Sequence, residues 1–364
     1  MTDTGDTGSE QHGTKTPLSV SHGASGAFAE ALPRLLSMVN DRFAIESRVL
    51  GGHGPADLDL IKDAHRHFGD MLLAVYEFDL GDHALGEFEW YVSSLSPRGF
   101  DEKYFRMMLE AWMIAIHAEI KPPESGELTR LLEHLCRNLH RLYSERAVEA
   151  GDLSPEVEHF LGLLLEKRRR PAARYALEMA ERSGSAGRVY AGLVLPAMAQ
   201  IGLLWQTNKI SVADEHAATE IGRYVLFRLI DSQPVKEPLG TRAIVACVPG
   251  EQHDIGAQIA GGYLEAAGWE VIFVGRSAPE EEILKILASH RPRLAVLSVN
   301  MLARLPAAVQ LFRKIRDGFS DVRVIAGGRA AAAARKLLES EVDAVVMSLE
   351  GLAGEAERLV GGNA

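Results

Sequence analysis

The sequence predicts an α/β plus all-α protein: a helical amino-terminal half followed by a doubly wound, parallel α/β domain. Three observations lead there. Apolar residues recur at steps of three and four from about residue 26 to residue 232. That period stops at a linker, DSQPVKEPLG. Beyond the linker, five short β-type runs each precede a helical run.

Taken in order, residues 1–25 are Gly, Ser, Thr and Asp with little to bury, and a disordered tail is expected there. Residues 26–150 carry helical runs such as DLDLIKDAHRHFGDMLLAVYEFDL and DEKYFRMMLEAWMIAIHAEI, punctuated by GGHGP, SPRG and KPPESG; they read as a helical sensor or dimerisation domain. The aromatics Tyr104, Met108, Trp112 and Ile116 keep helical spacing, so this stripe is expected in the core, with most of the neighbouring histidines His65, His67, His83 and His117. Residues 154–232 read as a four-helix bundle. Ser154-Pro155 starts the first helix, a glycine ends the second, the third is long and apolar, and Ser211-x-x-Asp214 forms a capping box that starts the fourth at Val212.

Residues 240–364 hold RAIVACV, EVIFVG, LAVLSV, VRVIAG and DAVVMS, with helical runs starting near Gly256, Pro279, Leu305, Arg329 and Gly351. Strands alternating with helices form a parallel, Rossmann-like (flavodoxin-like) sheet with helices on both faces.

Bulk composition narrows the function. The chain of 364 residues holds 39 basic and 50 acidic residues, and a net charge of −11 is a poor electrostatic footprint for a phosphate backbone, so no direct nucleic-acid partner is expected. Two cysteines, Cys136 and Cys247, are too few for a disulfide framework, and Cys247 falls within a strand-like run as a buried thiol. No signal core and no apolar stretch of membrane-spanning length is read, which makes the expected setting cytoplasmic, away from membranes.

In an open parallel sheet the ligand lies outside the carboxyl ends of the strands, where strand order reverses. Three features fall at such ends: Glu251-Gln252-His253-Asp254-Ile255-Gly256 after the first strand, Ser298-Val299-Asn300 after the third and Gly327-Gly328 after the fourth. With the order 2-1-3-4-5 they line one crevice. GAQIAGG is not a phosphate loop, since it lacks G-x-G-x-x-G and sits inside a helix.

E-x-H-x-x-G, S-V-N and G-G resemble the D-x-H-x-x-G, S-x-L and G-G pattern of cobalamin-binding domains, with 41 residues between Gly256 and Ser298 and 26 between Asn300 and Gly327. The resemblance implies that His253 is the lower ligand of cobalt and that Glu251 bonds its other ring nitrogen. It also implies that Ser298 meets the base of the nucleotide tail and that Gly256, Gly327 and Gly328 leave room for it; Asp254 and Ile255 belong to the same loop. Glu251 stands where Asp is usual and is expected to weaken the His253 contact; Asn300 stands where Leu is usual and is expected to matter little.

The run W-x9-E-H, from Trp205 to Glu215-His216, resembles the cobalamin photoreceptors of the CarH class. That resemblance implies adenosylcobalamin as the cofactor, Trp205 and Glu215 beside its upper adenosyl group, and His216 as a candidate cobalt ligand once light breaks the carbon–cobalt bond. Helical domain, bundle and cobalamin domain without a recognisable helix-turn-helix are similar to the photocobilin subfamily, which implies biliverdin as a possible second chromophore. The expected protein is then a light sensor and not an enzyme, a homo-oligomer whose association changes with light, acting on an unidentified downstream signalling protein. The alternative is a corrinoid methyl-carrier of a methyltransferase system, which shares the sheet domain but asks for an apolar cap where this chain has Ala213 and His216.

Overall fold

The computed structural model describes residues 18–49, 58–144 and 153–361. Most of the expected disordered tail, residues 1–17, lies outside the described residues, as do residues 145–152 around the expected first boundary. The chain is already helical from His22. Ser21 starts that helix: its Oγ accepts from the Ala24 N–H at 3.2 Å, while its own N–H donates to Glu127 at 2.7 Å.

The first helices are α1 (His22–Val49), α2 (Leu58–Glu77), α3 (Gly81–Leu95), α4 (Glu102–Glu119) and α5 (Glu124–Ser144). Their core is aromatic, with Phe28, Phe68, Phe88, Phe105 and Trp112 fully buried. The stripe Tyr104, Met108, Trp112 and Ile116 is completely buried. Gly69 lets α2 and α4 approach, since a Cβ there would lie 2.9 Å from the Trp112 ring. Of the four histidines only His65 enters the core; His67, His83 and His117 are exposed. His65 holds Asn40 through Nδ1 at 2.7 Å, and burial lowers its pKa to about 4.

The bundle is α6 (Pro155–Leu165), α7 (Arg169–Ser183), a third run made of α8 (Ala186–Val189), a π-helical turn (Tyr190–Val194) and α9 (Leu195–Gln206), and α10 (Val212–Asp231). The capping box is present as expected, Ser211 and Asp214 bonding each other's backbone N–H. Among the described residues, Ala186–Gln206 is the one run long and apolar enough to cross a bilayer, with mean hydropathy 1.3. It packs against α6 and α10, and only a third of it is buried.

The sheet domain alternates β1 (Arg242–Cys247), α11 (Ile255–Ala266), β2 (Glu270–Gly275), α12 (Glu280–His290), β3 (Leu294–Ser298), α13 (Leu305–Gly318), β4 (Arg323–Gly327), α14 (Arg329–Ala333), α15 (Arg335–Leu338), β5 (Ala344–Val346) and α16 (Leu352–Gly361). All pairs are parallel and the order is β2-β1-β3-β4-β5. β1 and β3 therefore flank the reversal. β3 is buried along its whole length, as a strand covered on both faces must be. The register sets Cys247 beside Ser298 and Ser298 beside Gly327, so the three site loops leave the sheet level with one another.

α11 and α16 cover one face of the sheet. α12 and α13 cover the other, and their outer surface shares one apolar core with the amino-terminal helices, α2 resting on α13 and on a 3-10 turn at Leu302–Arg304. The bundle docks through α10 on α11. Gly262 permits this approach, since a Cβ there would come within 2.7 Å of Ile230.

Candidate functional site

β1 ends at a turn whose Gly250 has φ +78°, and the chain drops into Glu251. Glu251 is 1% exposed and spans the sheet reversal. Its Oε1 accepts from His253 Nδ1 at 2.6 Å and from the His253 N–H at 3.0 Å, while its Oε2 accepts from the N–H groups of Asn300 and Met301, each at 2.9 Å. Burial alone pushes its pKa upward; the bonds from His253 and the Asn300 N–H outweigh that and bring it down to about 2. The extra methylene does not weaken the His253 contact as expected. It lets one carboxylate serve the loops after β1 and β3 together.

An ionised carboxylate only accepts, so Nδ1 of neutral His253 carries the proton and Nε2 keeps its lone pair. The side chain is 62% exposed, and its Nε2 makes no hydrogen bond to the described residues.

Asn300 matters more than expected. Its Nδ2 donates to the His253 carbonyl at 3.0 Å and to Ser298 Oγ at 3.1 Å, and its Oδ1 accepts from the Arg329 N–H at 3.3 Å. It ties together all three site loops, which the smaller Ser-x-Leu reading did not suggest. Gly328 has φ +106°, and a Cβ there would sit 2.5 Å from the Val299 carbonyl, so glycine is required. Below these loops lies a pocket of about 320 Å³ whose lining includes Leu195 of the bundle, Gly256, Ser298, Asn300, Gly328 and Leu352. A Cβ on Gly256 would meet nothing within 4 Å and would project into open space. Cys247, beneath the loop, is inert: burial pushes its thiol up to about 12.

Asp254 and Ile255 face the bundle. Asp254 is the N-cap of α11 but makes no side-chain cap, because its carboxylate pairs with Arg223 of α10; the two side chains are 4% and 13% exposed. Ile255 packs with the bundle core. The loop that carries His253 is thus clamped to the helix that carries His216. His216 and Arg223 are seven residues apart and share one face of α10, about 10 Å along its axis. Glu215 holds His216 Nδ1 at 2.5 Å and accepts from Thr219 Oγ1 at 2.7 Å, which leaves His216 Nε2 outward, as Glu251 does for His253.

Trp205 lies in the last turn of α9. Its ring is covered by Arg98 of the amino-terminal domain, Cζ 4.4 Å from the ring centroid, and its indole N–H is buried without a partner. Arg98, Arg223 and Arg329 were not among the residues expected from sequence. A signal for Arg223 existed in its helical spacing from His216; nothing local marks the other two.

Among the described residues no three or more His, Cys, Asp or Glu are grouped to hold a bare metal ion. The residues fit a cobalt that arrives within its own macrocycle: His253 keeps one imidazole nitrogen without a hydrogen bond, a glycine-lined pocket opens beside Ser298 and Asn300, and the buried Trp205 N–H in the bundle has no partner.

Residues 241–356 match a family model described as B12 binding domain, and residues 156–230 match a second with the same description. The chain is 30% identical over 107 residues to the HTH-type transcriptional repressor CarA of Myxococcus xanthus, covering 29% of this chain and 35% of that protein. It is 25% identical over 182 residues to the HTH-type transcriptional repressor CarH of the same organism, covering 48% and 58%. The chain thus spans between about a third and three fifths of these relatives. A solved monomethylamine corrinoid protein from Methanosarcina barkeri aligns at TM-score 0.48 and 17% identity over 55% of this chain and 96% of its own, a likeness too slight to carry weight. The two repressors overturn one expectation: relatives named as HTH-type transcriptional repressors conflict with a chain that makes no direct contact with nucleic acid. Net charge failed as a guide because it sums the whole chain, whereas binding depends on local distribution. The first family match covers the Rossmann-like sheet domain and the second the helical bundle.

Proposed function

We propose that the chain is a light-responsive regulator of the CarH kind, not an enzyme, which binds adenosylcobalamin between bundle and sheet domain with its own nucleotide base displaced. His253 Nε2 would hold the cobalt, with Glu251 orienting its ring, and the pocket lined by Ser298 and Gly328 would take the displaced tail. Bound adenosylcobalamin supplies a carbon–cobalt bond that light breaks. Trp205 and Glu215 would border the adenosyl group, and His216, whose Nε2 is left free by Glu215, would be a second residue able to hold the cobalt. The supporting observation is the paired arrangement of two imidazoles, each with Nδ1 held by a glutamate and Nε2 left free, on the two elements joined by Arg223 and Asp254.

The output is a change in the association of the chain, and the relatives' names as HTH-type transcriptional repressors support transcriptional control as its end point. The setting is cytoplasmic. Biliverdin is a second chromophore of the amino-terminal domain, and purification with biliverdin that yields no red-absorbing band removes it from the reading. The main test is to load the protein with adenosylcobalamin in the dark, illuminate it, and record absorption spectrum and molar mass. A new spectrum and a changed mass are expected. An unchanged upper ligand and an unchanged mass defeat the sensor reading.

A further inference from the structure

We infer that Arg98 is a positioning residue for Trp205, so that the amino-terminal helical domain builds one wall of the upper-ligand space; this rests on the cobalamin reading above. After α3 the chain turns through a 3-10 helix, Ser96–Arg98, and stops at Gly99, whose φ of +93° reverses it. The turn delivers Arg98 to the end of α9. There its guanidinium does two things at once. It lies over the Trp205 ring at 4.4 Å, and it donates to the carbonyl of Trp205 at 3.2 Å, which also accepts from the Asn208 N–H at 3.0 Å, and to that of Gln206 at 3.5 Å. A cation at the carboxyl end of a helix is also favoured by the helix dipole.

Two neutral bonds flank this contact. Gln206 Nε2 donates to Ser93 Oγ at 2.5 Å, and Asn208 Nδ2 donates to the Pro97 carbonyl at 3.3 Å. One ring face of Trp205 is therefore fixed from outside the cobalamin domain, while its buried N–H remains unpaired. On the cobalamin reading that donor serves an upper ligand with ring nitrogens or hydroxyls to accept it, whereas hydroxide carries no group that extends to it.

The same helix also reaches the lower half of the site. Glu87, buried in α3, pairs with Arg329, the residue after Gly327-Gly328 whose N–H bonds Asn300. From Glu87 to Ser93 is about 9 Å of rigid helix. α3 and the turn after it thus touch both Trp205, through Arg98, and the loop after β4, through Glu87.

The test compares the full chain with Arg98→Ala, Arg98→Gln and Arg98→Lys in binding two probes in the dark, adenosylcobalamin and hydroxocobalamin, with thermal melts to confirm folding. Loss of the stacked guanidinium is expected to weaken adenosylcobalamin about tenfold. Hydroxocobalamin should stay within about twofold, and Arg98→Lys should recover part of the loss, since it restores charge without the planar stack. Equal loss for both probes in folded variants reduces Arg98 to a docking contact and overturns the inference, as does no loss for either. Wild-type protein that binds neither cobalamin defeats the cobalamin reading itself, a result distinct from any behaviour of the variants.

Discussion

Replacing Glu251 by Ala removes the one carboxylate that joins the two loops at the sheet reversal. Four hydrogen bonds are lost, three of them from backbone N–H groups of His253, Asn300 and Met301. An N–H left without an acceptor costs about 1–3 kcal/mol when water cannot reach it. These loops border an open crevice, so the low end applies to each, and the sum is about 3 kcal/mol. Urea unfolding of the cobalamin-free protein measures it directly as a lower midpoint at unchanged slope. Glu251→Gln, which keeps one acceptor oxygen, should lose roughly half as much. Cobalamin affinity should fall about 10–100-fold in both, as when a group orienting a metal-bound imidazole is removed. A loss of stability under about 0.5 kcal/mol for Glu251→Ala would refute the view that this side chain holds the loops.

Three other outcomes are expected. Arg223→Ala leaves the Asp254 carboxylate buried and unpaired, which should cost about 3–5 kcal/mol and loosen the bundle from the sheet domain; the double variant Arg223→Met with Asp254→Leu should recover most of it in the same unfolding assay. Gly256→Val should leave cobalamin-free stability within about 1 kcal/mol, because its side chain enters open space, yet lower cobalamin affinity about tenfold or more in a titration by filling the pocket. His65 gives a pH dependence of definite sign. Its folded pKa of about 4 lies below the ordinary 6.5, so the unfolded chain takes up a proton that the folded chain refuses. Stability is full above pH 6.5 and falls as pH drops towards 4, by up to about 3 kcal/mol. His65→Gln should flatten that slope, and an identical slope in both proteins would remove His65 from the account.

The features legible in the sequence are those set by local chemistry and period. The five β runs and the switch in period after DSQPVKEPLG follow from pattern, whereas the strand order 2-1-3-4-5 entered only as a condition, which the fold meets. The Ser211–Asp214 capping box was readable because both partners lie within one turn. The start of α1 was missed because its cap, Ser21, sits inside a stretch whose composition alone reads as tail. Long-range pairs left no local trace. Arg98 over Trp205, Arg223 on Asp254 and Arg329 on Glu87 each join segments that only the fold brings together. The substitutions at Glu251 and Asn300 were visible, but their meaning was not. Glu251 has length enough for two loops, and Asn300 has three polar contacts where Leu has none, and both facts depend on loops that leave the sheet level with each other.

Whether His253 Nε2 is the lower ligand of cobalt is tested most directly by electron paramagnetic resonance of bound cob(II)alamin. The unpaired electron couples to the axial nitrogen, so protein labelled uniformly with nitrogen-15 and loaded with unlabelled cobalamin distinguishes a protein imidazole from the cofactor's own base. The account predicts a doublet from nitrogen-15 in the wild-type protein, lost in His253→Ala. A nitrogen-14 triplet in the labelled wild type, meaning that the cofactor keeps its own base, would contradict it.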